Sequence, residues 1–192
     1  MIEQLEQYAK EHKIPIMLKD GIDYLCNYIK EHNIKNILEI GTAIGYSAIR
    51  MAQVSPDISI TTIEKDEERY NLAKENIKHL NLENRIRVIY SDALETVIEG
   101  TFDLIFIDAS KGHSIDFFKR YLSNLKQDGV IITDNLSFHG LVEDDSLAVT
   151  KNQRSIVKKI KKFIEFLDNH QEFVTEYINV GDKISISRRN SC

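Results

Sequence analysis

Long apolar runs are missing from this chain. No stretch approaches the roughly 18 residues that would suggest a membrane span. Cysteine is scarce: Cys26 and Cys192 are the only two in 192 residues, and they lie far apart, so no disulfide framework is implied. Internal repeats and low-complexity segments are absent, which leaves no sign of a second domain. The opening residues, Met1-Ile2-Glu3-Gln4-Leu5-Glu6, lack the basic and apolar regions of a secretory signal. Together these absences make a cytoplasmic location, with no membrane partner, the expectation. What remains is an ordinary globular composition, 42% hydrophobic and 29% charged, at a length that suits one domain with a real core. The net charge of −5 argues against a nucleic-acid coat protein, yet leaves room for a local basic face.

The pattern along the chain is that of alternating strands and helices. Residues 2–11 read as a short polar helix, Ile14-Pro15-Ile16-Met17 as an extended connector, and Asp20 to Glu31 as an amphipathic helix with Ile22, Leu25, Cys26 and Ile29 on one face. A strand at 37–40 precedes a helix at 46–54. A β-branched strand at 58–63 ends at Glu64, and Asp66 caps a helix running to about Leu80. Further strands are expected at 85–90, 102–107 and 130–132, with helices over 94–99 and 113–124 and a turn at 127–129. Residues 136–151 read as a loop. A helix over 152–169 has the spine Ile156, Ile160, Phe163 and Leu167, and two strands near 172–179 and 183–188 flank the turn Val180-Gly181-Asp182. Five βα units closed by a hairpin predict an α/β fold: a doubly wound, Rossmann-like sheet, mostly parallel, with a C-terminal antiparallel hairpin.

In such a sheet the ligand lies beyond the carboxyl ends of the strands. Those ends carry Glu39, Glu64, Asp92, Asp108 and Asp134, an acid each. The first turn, Glu39-Ile40-Gly41-Thr42-Ala43-Ile44-Gly45-Tyr46-Ser47, passes from strand to helix. Gly41 would let the backbone approach a ligand, and Ser47 would offer its hydroxyl and N–H. Glu64, 23 residues after Gly41, is placed for two ribose hydroxyls, which suits NAD and S-adenosylmethionine alike. A dinucleotide site wants G-x-G-x-x-G, and Thr42 stands where its second glycine belongs, which favours a ligand without phosphates. Asp108 with Asp134 and Asn135 forms an oxygen-only donor set that suits Mg²⁺ better than Zn²⁺. Lys111 lies within reach of the same strand end.

This turn resembles the first motif of class I S-adenosylmethionine-dependent methyltransferases. Together with Asp108-Ala109-Ser110-Lys111 and Asp134-Asn135 it is similar to the cation-dependent O-methyltransferase family that includes the caffeoyl-CoA and catechol O-methyltransferases. The resemblance runs from Ile14 to about Arg188. It implies a cofactor site of Met17, Gly41, Ser47, Glu64, Asp92, Ala93 and Asp108, with Asp92 and Ala93 at the adenine. It implies a Mg²⁺ site of Asp108, Asp134 and Asn135, with Lys111 and Asp108 catalytic, and a homodimer. Chemically, a phenol-like or enol-like hydroxyl is mostly protonated at neutral pH, and a nearby cation favours its anion.

For the acceptor, the stretches at Ile14 to Met17, Gly41 to Ala52, Asp134-Asn135 followed by Phe138 to Val142, and Val180 to Asp182 resemble a bacterial branch that methylates 5-hydroxyuridine at the tRNA wobble position. That resemblance makes tRNA the first expected partner and a small hydroxylated aromatic, catechol or phenylpropanoid, the alternative. Ser137 and His139 depart from the branch where the acceptor enters. Arg154, Lys158, Lys159, Lys161 and Lys162 lie opposite the apolar spine of their helix and supply a basic face, which on an amphipathic helix ordinarily serves only solvation. Phe138 is placed either to stack on a base or to close the pocket.

Overall fold

The computed structural model describes residues 2–109 and 111–190; Ser110 of the Asp108–Lys111 stretch and Cys192 lie outside them. Strands β1 (Asn36–Ile40), β2 (Ser59–Glu64), β3 (Ile86–Tyr90), β4 (Phe102–Ile107) and β5 (Leu125–Thr133) run parallel, and β6 (Phe173–Ile178) and β7 (Ile184–Arg189) form an antiparallel hairpin. The sheet order is β3-β2-β1-β4-β5-β7-β6, with β7 antiparallel against β5. Both faces of the sheet are covered, which is why β1 and β4 read as nearly continuous apolar runs. Helices α1 (Ile2–Glu11), α2 (Lys19–Glu31), α3 (Tyr46–Ala52) and α4 (Glu67–His79) share one core with Ile37, Leu104 and Ile132. Helices α5 (Ser114–Arg120) and α6 (Lys151–Asp168) cover the other, built on Leu38, Ile105 and Ile131.

Several local expectations change. No helix forms over 94–99. Asp92 closes a single turn, its side chain accepting from Leu94 N–H and its carbonyl from Glu95 and Thr96 N–H. The β-branched run Thr96-Val97-Ile98 is a poor helix former, and the carbonyls of Thr96, Ile98 and Gly100 are held by Arg120 and Asn124 instead. The helix expected over 113–124 ends at Arg120, followed by a 3₁₀ turn at Leu122–Asn124. The turn at 127–129 lies inside β5 as an irregularity, because pairing with β4 jumps from Leu125 to Val130. Helix α3 stops at Ala52, and the loop at 136–151 contains a 3₁₀ turn at Asp145–Leu147. In α6 the buried spine begins at Val157, with Ile156 only half-buried.

The reversal of strand order lies between β1 and β4, whose carboxyl ends therefore open on one crevice. The ladder carries the acids to that edge in a row. Gly41 N–H bonds to Ile63 O (3.1 Å), Ser91 N–H to Glu64 O (3.0 Å), Asp108 N–H to Ile40 O (3.0 Å) and Asp134 N–H to Ile107 O (3.2 Å).

Candidate active site

A cavity of about 620 Å³ lies along this edge. All seven residues expected at the cofactor line it: Met17, Gly41, Ser47, Glu64, Asp92, Ala93 and Asp108. Lys111, Asn135 and Phe138 line its other end, whereas Asp134 sits beneath the surface at 1% exposure.

The glycine turn is built differently from its first reading. Gly41 has φ +101°, and a Cβ there would stand 2.5 Å from the Asp108 carbonyl oxygen. What glycine permits is close contact between β1 and β4; the collision is with protein. The Ser47 hydroxyl hydrogen is turned inward: Oγ donates to Glu39 Oε1 at 2.5 Å. Glu39 is fully buried, and its other oxygen accepts from Thr62 Oγ1, itself 2.6 Å from Thr42 Oγ1. Burial pushes the Glu39 carboxyl up to about 8 against the pull of those two hydroxyls, and the Asp108 and Glu64 charges add to the rise. Sequence reasoning placed Glu39 at a strand end but missed this network, since its partners lie 8 and 23 residues away.

Glu64 is fixed as an acceptor. Ala43 N–H donates to Oε2 (2.8 Å), and Lys65 and Asp66 N–H donate to Oε1 (2.9 Å each). That holds a rigid carboxylate, with lone pairs to spare for hydroxyls, over the turn. Asp92 spends Oδ1 on Leu94 N–H, and the Ala93 carbonyl accepts from Tyr121 Oη (2.7 Å). Met17 is 4% exposed and packs with the core as well as lining the cavity.

At the far end, Lys111 Nζ stands 3.3 Å from Asp108 Oδ1 and 3.3 Å from the Asp134 carbonyl oxygen. The Asn135 amide nitrogen donates to Asp108 Oδ1 (3.2 Å) and Asp134 Oδ2 (2.7 Å). Asp134 Oδ1 is buried with no hydrogen-bond partner. Burial, then the Asp108 charge, pushes the Asp134 carboxyl up to about 7; burial also raises Asp108, against the pull of Lys111. Two close carboxylates, one with an orphaned buried oxygen, form a site that a cation would satisfy. With two Asp and one Asn the set fits a hard divalent ion, although no group of three or more His, Cys, Asp or Glu gathers among the described residues. A cation there would be met by the Asn135 amide oxygen, a 180° flip of the same side chain.

The cavity is also lined by residues the sequence did not single out. His113 and Phe117 of the α5 region, and Asn152, Ile156 and Lys159 of α6, line the cavity. The last three sit at i, i+4 and i+7, one helix face, on which Ile156 reads as core spine and Lys159 as solvated charge in the sequence. A second, more open hollow of about 550 Å³ lies on another face of α6, lined by Arg154, Lys158, Lys161 and Lys162 together with Asp145 and Glu165.

A family model described as O-methyltransferase matches residues 1–190. An Arabidopsis thaliana protein provisionally named a caffeoyl-CoA O-methyltransferase is 30% identical over 96% of this chain and 82% of its own. A Staphylococcus aureus structure, also provisionally named a caffeoyl-CoA O-methyltransferase, is 40% identical with a TM-score of 0.94, covering 98% of this chain and 92% of its own. A Bacillus cereus O-methyltransferase solved with S-adenosylhomocysteine is 27% identical with a TM-score of 0.82, covering 98% and 90%. The likeness runs through every element from α1 to β7 and is not confined to the glycine turn, and this chain belongs to the S-adenosylmethionine-dependent O-methyltransferase family.

Proposed function

We propose that this enzyme methylates one hydroxyl of a small catechol-like or phenylpropanoid-like aromatic. The observation that carries the reading is the single cavity joining Glu64 at one end to Asp108, Asn135 and Lys111 at the other, with Phe117 and Phe138 beside them. The names of the relatives point to phenolic acceptors and favour this substrate over tRNA.

In this reading Glu64 receives the ribose hydroxyls, Asp92 and the Ala93 N–H meet the adenine, and Gly41, Ser47 and Met17 surround the methionine end. The bound S-adenosylmethionine supplies an electrophilic methyl group on a sulfonium. Asp108, Asp134 and Asn135 would hold a divalent cation, Mg²⁺ by donor type, whose charge lowers the pKa of an adjoining hydroxyl. Lys111 Nζ, at the rim of the same carboxylates, takes the acceptor proton or holds the oxyanion by a charge-assisted hydrogen bond. Phe117 and Phe138 supply apolar walls for the ring. The acceptor oxygen forms its bond to the methyl carbon as the carbon–sulfur bond breaks, giving the ether and S-adenosylhomocysteine.

The test is turnover of 3,4-dihydroxybenzoate by the purified protein with S-adenosylmethionine and Mg²⁺, followed by mass spectrometry. Asp134→Ala and EDTA should each reduce the rate by about a hundredfold or more. Full activity in EDTA would overturn the cation role.

One observation favours methylation of 5-hydroxyuridine in tRNA as a second reading. A basic hollow lined by Arg154, Lys158, Lys161 and Lys162 lies on α6, the helix that also lends Lys159 to the cavity. Methylation of tRNA carrying 5-hydroxyuridine, with no turnover of free catechols, would establish it in place of the first. A homodimer remains part of the proposal, read by light scattering.

A further inference from the structure

We propose that Asp182 is a positioning residue for the acceptor end of the site, and that its hairpin turn ties that end to the cofactor end. This rests on the reading above only in taking the cavity as the S-adenosylmethionine site.

The segment that carries Phe138 and His139 is strained. Asn135 (φ 65°), Phe138 (φ 50°), His139 (φ 58°) and Gly140 (φ 83°) are all left-handed. Three of these carry side chains, which the left-handed region disfavours unless their surroundings hold them there. The hairpin turn provides the hold. Leu136 N–H donates to Lys183 O (3.0 Å), Ser137 N–H to Asp182 O (2.9 Å) and His139 N–H to Asp182 Oδ1 (2.7 Å). Asp182 is only 6% exposed, and its second oxygen is buried without a partner. A carboxyl is thus kept inside the protein, and its one side-chain hydrogen bond is to a backbone N–H beside the pocket, with the His139 ring Nδ1 3.8 Å from the same oxygen.

The same turn is fastened on its other side. Gly181 N–H donates to Asp20 Oδ2 (3.0 Å), and a Cβ on Gly181 would stand 3.2 Å from Gly21 Cα. Gly21 in turn backs onto Met17, whose Cε would be 3.2 Å from a Cβ there. Met17 lines the cavity at the cofactor end, and Phe138 and His139 line it at the acceptor end. A continuous run of contacts therefore joins the two ends: Met17, Gly21 with Asp20, Gly181 with Asp182, then His139 and Phe138. Cofactor pressing on Met17 steadies α2 against the turn, and the turn steadies the strained segment.

Such coupling is established by measurement and not by contiguity. Hydrogen–deuterium exchange with and without S-adenosylhomocysteine reads it directly, with calorimetry confirming binding. In the wild type, the ligand should slow exchange of the 136–142 amides by about threefold or more. Asp182→Ala should speed exchange there while amides of β1 stay unchanged, and Asp182→Asn, which keeps the acceptor for His139 N–H, should restore wild-type rates. Asp20→Ala, at an exposed position, should leave ligand binding intact and remove the ligand's effect on 136–142. If Asp182→Ala does not fold, Asp182→Asn and Asp20→Ala decide the matter. Binding of S-adenosylhomocysteine with no change at 136–142 in the wild type would overturn the coupling. Unchanged exchange in Asp182→Ala would overturn the positioning role. If the wild type fails to bind S-adenosylhomocysteine, the cofactor reading falls, and comparing Asp182→Ala with Asp182→Asn still decides the positioning role.

Discussion

Glu39 shows how far a single side chain can depart from its solution chemistry. Its carboxyl is buried among hydroxyls and pushed up to about 8 from 4.5. Between those values the folded protein holds a proton that the unfolded chain has released. Stability from this group is therefore fully present below about pH 4.5 and is lost progressively as pH rises to about 8. Glu39→Gln removes that dependence. Urea unfolding at pH 5, 6, 7 and 8 should show a shallower decline for the variant than for the wild type, and parallel curves would refute a neutral Glu39. The acids at the strand ends were legible from sequence because β-strands end where the apolar run ends. What each acid does was less legible, since partners such as Ser47, Thr62 and Lys111 are fixed only when strands and helices are brought together. Gly41 is the clearest instance. The sequence marked it as a backbone position without room for a Cβ, while the neighbour that fills the room, Asp108 O, lies 67 residues on, just past the end of β4.

Among the elements, α6 serves the site as well as the core. Thr150 caps it, accepting from Gln153 N–H at 3.1 Å, while the Gln153 side chain accepts from Thr150 N–H at 3.0 Å. The first turns then present Asn152, Ile156 and Lys159 to the cavity. Thr150→Ala should cost about 1 kcal/mol of stability. Its larger effect falls on the acceptor, with KM for the aromatic raised more than KM for S-adenosylmethionine; steady-state kinetics with each substrate varied reads the difference. Equal changes in both would place α6 outside the acceptor pocket. Elements with strong periodicity, α2 and α6 among them, were legible in the sequence to within a residue or so. The expected helix over 94–99 was not, because Arg120 and Asn124 take its carbonyls and no local pattern announces that.

For the whole molecule, the ligand edge is shared by every parallel strand, so filling it stabilises the sheet as a unit. S-adenosylhomocysteine at a hundred times its Kd should add about 2.7 kcal/mol, which for a chain of this size is a rise in Tm of roughly 5–10 °C. A melting curve that does not move would argue against the cavity as the cofactor site. The sheet order has a further consequence, for assembly. Among the described residues β7 follows every other strand in sequence, yet it lies between β5 and β6. Until residues 184–189 arrive, β5 stands as a bare edge carrying Val130, Ile131 and Ile132, the kind of surface that recruits other unfolded chains. The segment after Asn135 also lacks its hold until the hairpin closes. A nascent chain can therefore build the cofactor half early, but it stays sticky, and without a finished acceptor end, until its final hairpin is threaded into place.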